Sequence, residues 1–101
     1  MGCCHDTSNQ TELIAKEYYT NAKNPLSSIG PFDTFIDAVT NIQHTHDETH
    51  KGVLIVKINK AVYIQEDECK VYIVSCAFSD DTEKVYRVVY HMSGLTTVTV
   101  Q

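Results

Sequence analysis

The hydrophobic period of this chain changes once, and that change divides it into a helical half and a strand half. Up to residue 42 apolar residues recur every three or four positions, and after residue 52 they recur every two. These are the periods of a helix stripe and of a pleated strand. Helices followed by strands in one short chain give an α+β fold, with two N-terminal helices packed on a small antiparallel sheet of about four strands.

Asn9 reads as the N-cap of the first helix, with Glu12 completing a capping box. Ile14, Tyr18 and Ala22 then form a stripe flanked by Ala15 and Tyr19, and Asn24-Pro25 ends it. A loop with Ser27, Ser28 and Gly30 leads to Pro31, which suits the first turn of a second helix. Phe32, Phe35, Ile36, Val39 and Ile42 make the apolar face of that helix, and Thr34, Asp37 and Asn41 turn towards solvent. His44 to Gly52 holds no apolar residue and reads as a polar linker.

Leu54, Val56, Ile58, Val62 and Ile64 share one parity. They read as one long strand, because Asn59-Lys60 is a weaker turn signal than Asn-Gly. Glu66-Asp67-Glu68 is a charged turn. In the next strand, Lys70 to Ser79, one face carries Tyr72, Val74, Cys76 and Phe78, and the other Val71, Ile73 and Ala77. A turn at Asp80 to Glu83 precedes a third strand, Val85 to His91. Ser93-Gly94 then leads into a last one, Leu95 to Val100. Such short connections make a meander. Residues 1–8 read as a flexible tail and 9–101 as a single domain.

Eight basic residues against thirteen acidic ones, a formal charge of -5, argue against nucleic acid and against an anionic membrane surface. No apolar run approaches the roughly 18 residues of a membrane span. The four cysteines make no disulfide framework, since Cys3 and Cys4 are adjacent and Cys69 and Cys76 lie apart in one extended stretch. With no signal-peptide pattern, a reducing cytoplasm is the expected compartment. Met1-Gly2-Cys3-Cys4 makes Gly2 a candidate for myristoylation and Cys3 and Cys4 for palmitoylation, although Asp6 stands where that motif has Ser or Thr. Membrane association is expected only through that acylation.

His44, His46 and His50, with Asp47 and Glu48, are the one cluster of metal-ligand types. Glu48 falls midway between His46 and His50, which matches neither H-E-x-x-H nor its inverse, so no metal or other cofactor is expected. Cys69 and Cys76 fall in strand patterns, where cysteine serves as a small hydrophobe. Nothing signals an enzyme. A strand apolar on both faces must instead be covered on both, and a second copy of the chain is the expected cover. An unpaired sheet edge is the expected site for an extended peptide.

Four segments carry a family likeness: Ile14-Ala15-Lys16-Glu17 with Ala22; the aromatic Phe32; Val62-Tyr63-Ile64-Gln65; and Ser75-Cys76-Ala77-Phe78-Ser79-Asp80. In this order the chain resembles the Tctex-type dynein light chains, which have two helices followed by four antiparallel strands. From Ala61 onward the patterns align without a gap. The chain departs from the family in placing Glu66-Asp67-Glu68 at its Gly-rich turn, in lacking Trp, and in lacking a Phe-Gly-Leu tail. The resemblance implies a homodimeric, cytoskeleton-associated motor subunit that holds the dynein intermediate chain, or another extended peptide, as an added strand. It places Ser75, Cys76, Phe78 and Asp80 near the binding edge. Two other readings are a lipid-anchored adaptor tethered through Gly2, Cys3 and Cys4, and a small cystatin-like or ketosteroid-isomerase-like domain with a pocket between helix and sheet.

Overall fold

A computed structural model describes residues 7–21 and 29–101. Helices α1 (Thr7–Asn21) and α2 (Phe32–Thr49) precede strands β1 (Ile55–Gln65), β2 (Cys69–Phe78), β3 (Glu83–His91) and β4 (Thr96–Val100). The strands form one antiparallel sheet in the order β1-β2-β3-β4, a meander on an α+β fold. Among the described residues no helix is long and apolar enough to cross a membrane. Gly2, Cys3, Cys4, Ala22, Asn24, Pro25, Ser27 and Ser28 lie outside the described residues.

Helix α1 begins at Thr7, so Asn9 lies inside it rather than capping it. Ala15 is fully buried, and Ile14, Tyr18 and Tyr19 pack beside it against the core. Pro31 caps α2, and its carbonyl accepts the Phe35 N–H at 3.0 Å. The fixed φ of proline suits this place, where its missing N–H would have had no helical partner. Phe35, Ala38, Val39 and Ile42 are then buried at helical spacing. Beyond Ile42 the expected polar linker is instead two further turns of helix, to Thr49. Those turns are anchored by Gln43 and His46, both buried, so the face continues at i+4 through a residue that is polar by name and aromatic by shape.

The sheet meets the helices through Tyr72, Val74, Cys76 and Phe78 of β2 and Tyr86 and Val88 of β3, as the alternation predicts for β2. Strand β1 departs from simple parity. Its inward residues are Ile55, Ile58 and Ala61, three apart, while Val56 is 44% exposed. The register slips between Ile55 and Lys57 and again between Ile58 and Lys60. Each bulge inserts one residue and so exchanges the faces of everything before it. Asn59-Lys60 therefore belongs to a bulge within one long strand, and Val62 and Ile64 point away from the helices.

Gly30 has φ +72°, and a Cβ there would lie 2.7 Å from the Tyr72 hydroxyl oxygen. That oxygen is buried at the end of a rigid ring, with no hydrogen-bond partner among the described residues. Gly30→Ala is expected to lower stability by about 2–4 kcal/mol, combining left-handed backbone strain with an overpacked contact. The check is a fall in the urea midpoint at unchanged m-value.

Candidate functional site

Cross-strand pairing shows which side chains share the sheet face turned away from the helices. Val62 pairs with Ile73, Ile64 with Val71, Val71 with Val89, and Ser75 with Val85. None of these six apolar residues joins the core formed by the helices and the inner face. Ile64 is 39% exposed, and Val62, Ile73, Val85 and Val89 are half-buried. The core under the helices lies on the opposite face, yet Val71 on this one is only 2% exposed. The charges of this face are Lys57 and Lys60, paired with Ala77 and Ser75 at one end beside Glu83, then Arg87 opposite Ile73, and the Glu66-Asp67-Glu68 turn that follows β1 at the other end.

The two edges of the sheet differ. Strand β1 carries two bulges and the exposed lysines Lys57 and Lys60, and its Ala61 N–H donates to the Tyr18 hydroxyl at 3.0 Å. Bulges and lysines are the usual protection of an edge. A hollow of about 360 Å³ between α1 and β1, lined by Ile14, Glu17, Tyr18, Val56 and Ile58 among others, lies along it. Strand β4 has the sequence Thr-Thr-Val-Thr-Val, with no charge, no proline and an unbroken register. The His91 N–H donates to the Leu95 carbonyl at 2.8 Å and the Gln101 N–H to the Val85 carbonyl at 2.7 Å. By antiparallel alternation, Thr97 and Thr99 also face β3, which leaves the N–H and C=O groups of Thr96, Val98 and Val100 directed outward.

The four residues that the family likeness places near a binding edge do not form one. Strand β2 lies between β1 and β3, so its backbone is paired on both sides. Cys76 and Phe78 are buried in the core, Ser75 is half-buried on the open face, and Asp80 is exposed in the β2–β3 turn. The Asp80 Oδ1 accepts the Thr82 hydroxyl at 2.6 Å and the Thr82 N–H at 3.2 Å. The hydroxyl bond is the main reason its carboxyl is held below the ordinary value.

The histidines are arranged as a stack rather than a ligand cluster. His46 is fully buried, its ring 3.7 Å from that of Phe78 and 4.4 Å from that of His50, both nearly parallel. Its Nδ1 lies 2.8 Å from the Tyr86 hydroxyl oxygen, and its Nε2 is buried with no partner among the described residues. Burial holds His46 below the ordinary histidine value, and His50 and Lys84 press the same way against Asp80 and Asp47. Among the described residues no three His, Cys, Asp or Glu side chains are placed to hold a metal ion. Burial also pushes the Cys76 thiol up to about 12, and partial burial followed by the hydrogen bond to Glu66 raises that of Cys69. Both are thiols, not thiolates, at neutral pH.

Gln43 and His46 escape a reading that treats polar residues as exposed. The available signal was position, because both continue the 35-39-42 stripe. Comparison with protein-family models, with curated proteins and with solved structures finds no match to this chain.

Proposed function

We propose that the chain is a non-enzymatic binding module that works as a homodimer and takes up an extended peptide as a fifth strand on β4. The observation that carries this reading is the β4 edge, an uncharged and unbulged strand whose outward backbone groups have no protection. An edge of this kind is a template for strand addition, in which main-chain hydrogen bonds give affinity and alternate side chains give selectivity. The open sheet face supports the homodimer. It carries Val62, Ile64, Val71, Ile73, Val85 and Val89 around an exposed Arg87, with Lys57, Lys60 and Glu83 towards one end and the acidic Glu66-Asp67-Glu68 turn at the other. Such a face complements a second copy laid with its strands reversed. On the Tctex-type reading the peptide is a segment of the dynein intermediate chain.

Light scattering on a sizing column is expected to give a mass of about twice 11.4 kDa over a range of concentrations. Ile73→Asp is expected to give a monomer with an unchanged circular dichroism spectrum. A monomer from the unaltered chain at every concentration sinks the homodimer. Peptide capture is tested separately with immobilised chain and purified intermediate chain. The unaltered chain is expected to retain it, and Thr96→Pro with Val100→Pro to lose it, since proline removes outward donors that the sheet itself does not use. No retention under conditions where a Tctex-type chain retains it overturns the motor-subunit reading.

A further inference from the structure

We infer that the His50–His46–Phe78 ring stack is an acid-operated latch between the C-terminal end of α2 and the β2–β3 hairpin. This inference is independent of the peptide and dimer surfaces. Beside the stack, polar contacts tie the α2–β1 connection to the end of α2 and to the hairpin. The Gly52 N–H donates to Asp47 Oδ1 at 3.0 Å, the Leu54 N–H to the Ser79 hydroxyl at 3.0 Å, and the Ser79 N–H to the Leu54 carbonyl at 2.8 Å. His46 is the fully buried side chain that α2 contributes to the stack.

Neutral His46 satisfies one ring nitrogen through Tyr86 and leaves the other buried and unpaired. A neutral orphan of this kind is a tolerable cost inside an aromatic stack. Protonation changes that. Nδ1–H then donates to the Tyr86 oxygen, and Nε2–H becomes a buried cationic donor without an acceptor. The groups around it are Asp47 on α2, His50 at its C-terminal cap, Asp80 in the hairpin turn, and Lys84 and Tyr86 on β3. The two carboxylates attract the cation, but Asp80 is exposed and engaged by Thr82, and Asp47, half-buried, already accepts the Gly52 N–H. His50 and Lys84 act against the cation.

The direction in pH follows. Above the ordinary histidine value of 6.5 the closed and open forms are both neutral, and closure is independent of pH. Below it the open form takes up a proton that the closed form refuses. Closure therefore weakens as pH falls from about 6.5 to the lower value of the buried ring, and then levels off. Each pH unit crossed in that window favours opening by about a further tenfold.

The test is a proton NMR titration of the five histidine rings, with amide hydrogen exchange at pH 7.5 and at acid pH, corrected for the intrinsic rate. The His46 ring is expected to titrate below the ordinary histidine value of 6.5. Protection at residues 46–54 and 78–84 is expected to fall with acid in the unaltered chain and in a His44→Gln control. It is expected to stay level in His46→Phe, which keeps the stack and removes the titration. His46 titrating at or above 6.5 overturns the latch, as does equal acid loss of protection in His46→Phe. If His46→Phe fails to fold, the ring titration of the unaltered chain still decides.

Discussion

Replacing Gln43 by Leu is expected to destabilise the fold by about 2–4 kcal/mol, although a leucine there would lie on the apolar stripe of α2. Gln43 is 5% exposed. Its Nε2 donates to the Val53 carbonyl at 3.0 Å, and its Oε1 accepts the N–H of Ile55 at 2.7 Å. It thus does for the entry of β1 what a neighbouring strand would do, and Ile55 itself is almost fully buried. Leucine would leave a buried N–H unmade and a half-buried carbonyl short of its donor, and each such group costs about 1–3 kcal/mol. The measurement is a urea titration, in which the midpoint should fall with no change in slope. Exchange at the Ile55 amide should quicken most. Gln43→Glu separates the two bonds, because it keeps the acceptor for Ile55 and removes the donor to Val53. A Leu variant as stable as the parent would mean that β1 begins correctly without this clamp.

The same residue shows where sequence patterning stops. Helix-then-sheet order is legible because the period changes near residue 52, and the inner face of β2 is legible because four apolar residues alternate without interruption. Gln43 and His46 are not legible by hydropathy, since each is buried through partners that lie elsewhere in the chain: Val53 and Ile55 for one, Phe78 and Tyr86 for the other. Strand β1 fails for a different reason. Two bulges break its parity, and a bulge is a property of the pair of strands rather than of either sequence. Parity alone puts Val56 and Ile64 beside Ile58, whereas the structure puts Ile58 beside Ile55 and Ala61.

The candidate surface divides in the same way. Val71 and Ile73 mark a second apolar face directly, because a strand that is hydrophobic at both parities has no solvent side. Which strand forms an edge is a matter of topology. In a four-strand meander the second strand always has two neighbours, so the likeness of Ser75 to Asp80 to a binding segment cannot make β2 an edge here. On the proposed reading the last strand is the edge that takes the peptide, and its Thr-Thr-Val-Thr-Val sequence acquires that meaning only once β3 is known to cover one side of it.

Phe35→Ala is expected to have the largest effect on stability, about 3–5 kcal/mol, which is a large share of the roughly 5–15 kcal/mol that holds a domain of this size folded. Phe35 is fully buried, and its ring lies 5.9 Å from Tyr18, 6.4 Å from Tyr19 and 6.1 Å from Tyr72. It therefore joins α1, α2 and β2 at one point. Removing it loses the ring's burial and leaves a cavity among three aromatic neighbours that are held by other contacts and cannot all collapse inward. Calorimetry should show Tm falling by at least about 12 °C, at the small-domain rate of 4–8 °C per kcal/mol. The loss should also be uneven. Helix α1 packs on the rest through Ala15, Tyr18 and Tyr19, two of which meet Phe35, so its amides should lose more protection than those of β2 and β3. Phe35→Leu, which refills part of the space, should recover part of both effects. Uniform loss of protection across helix and sheet would mean that α1 unfolds only with the whole chain, and that Phe35 stabilises the domain without serving as the tie between its layers.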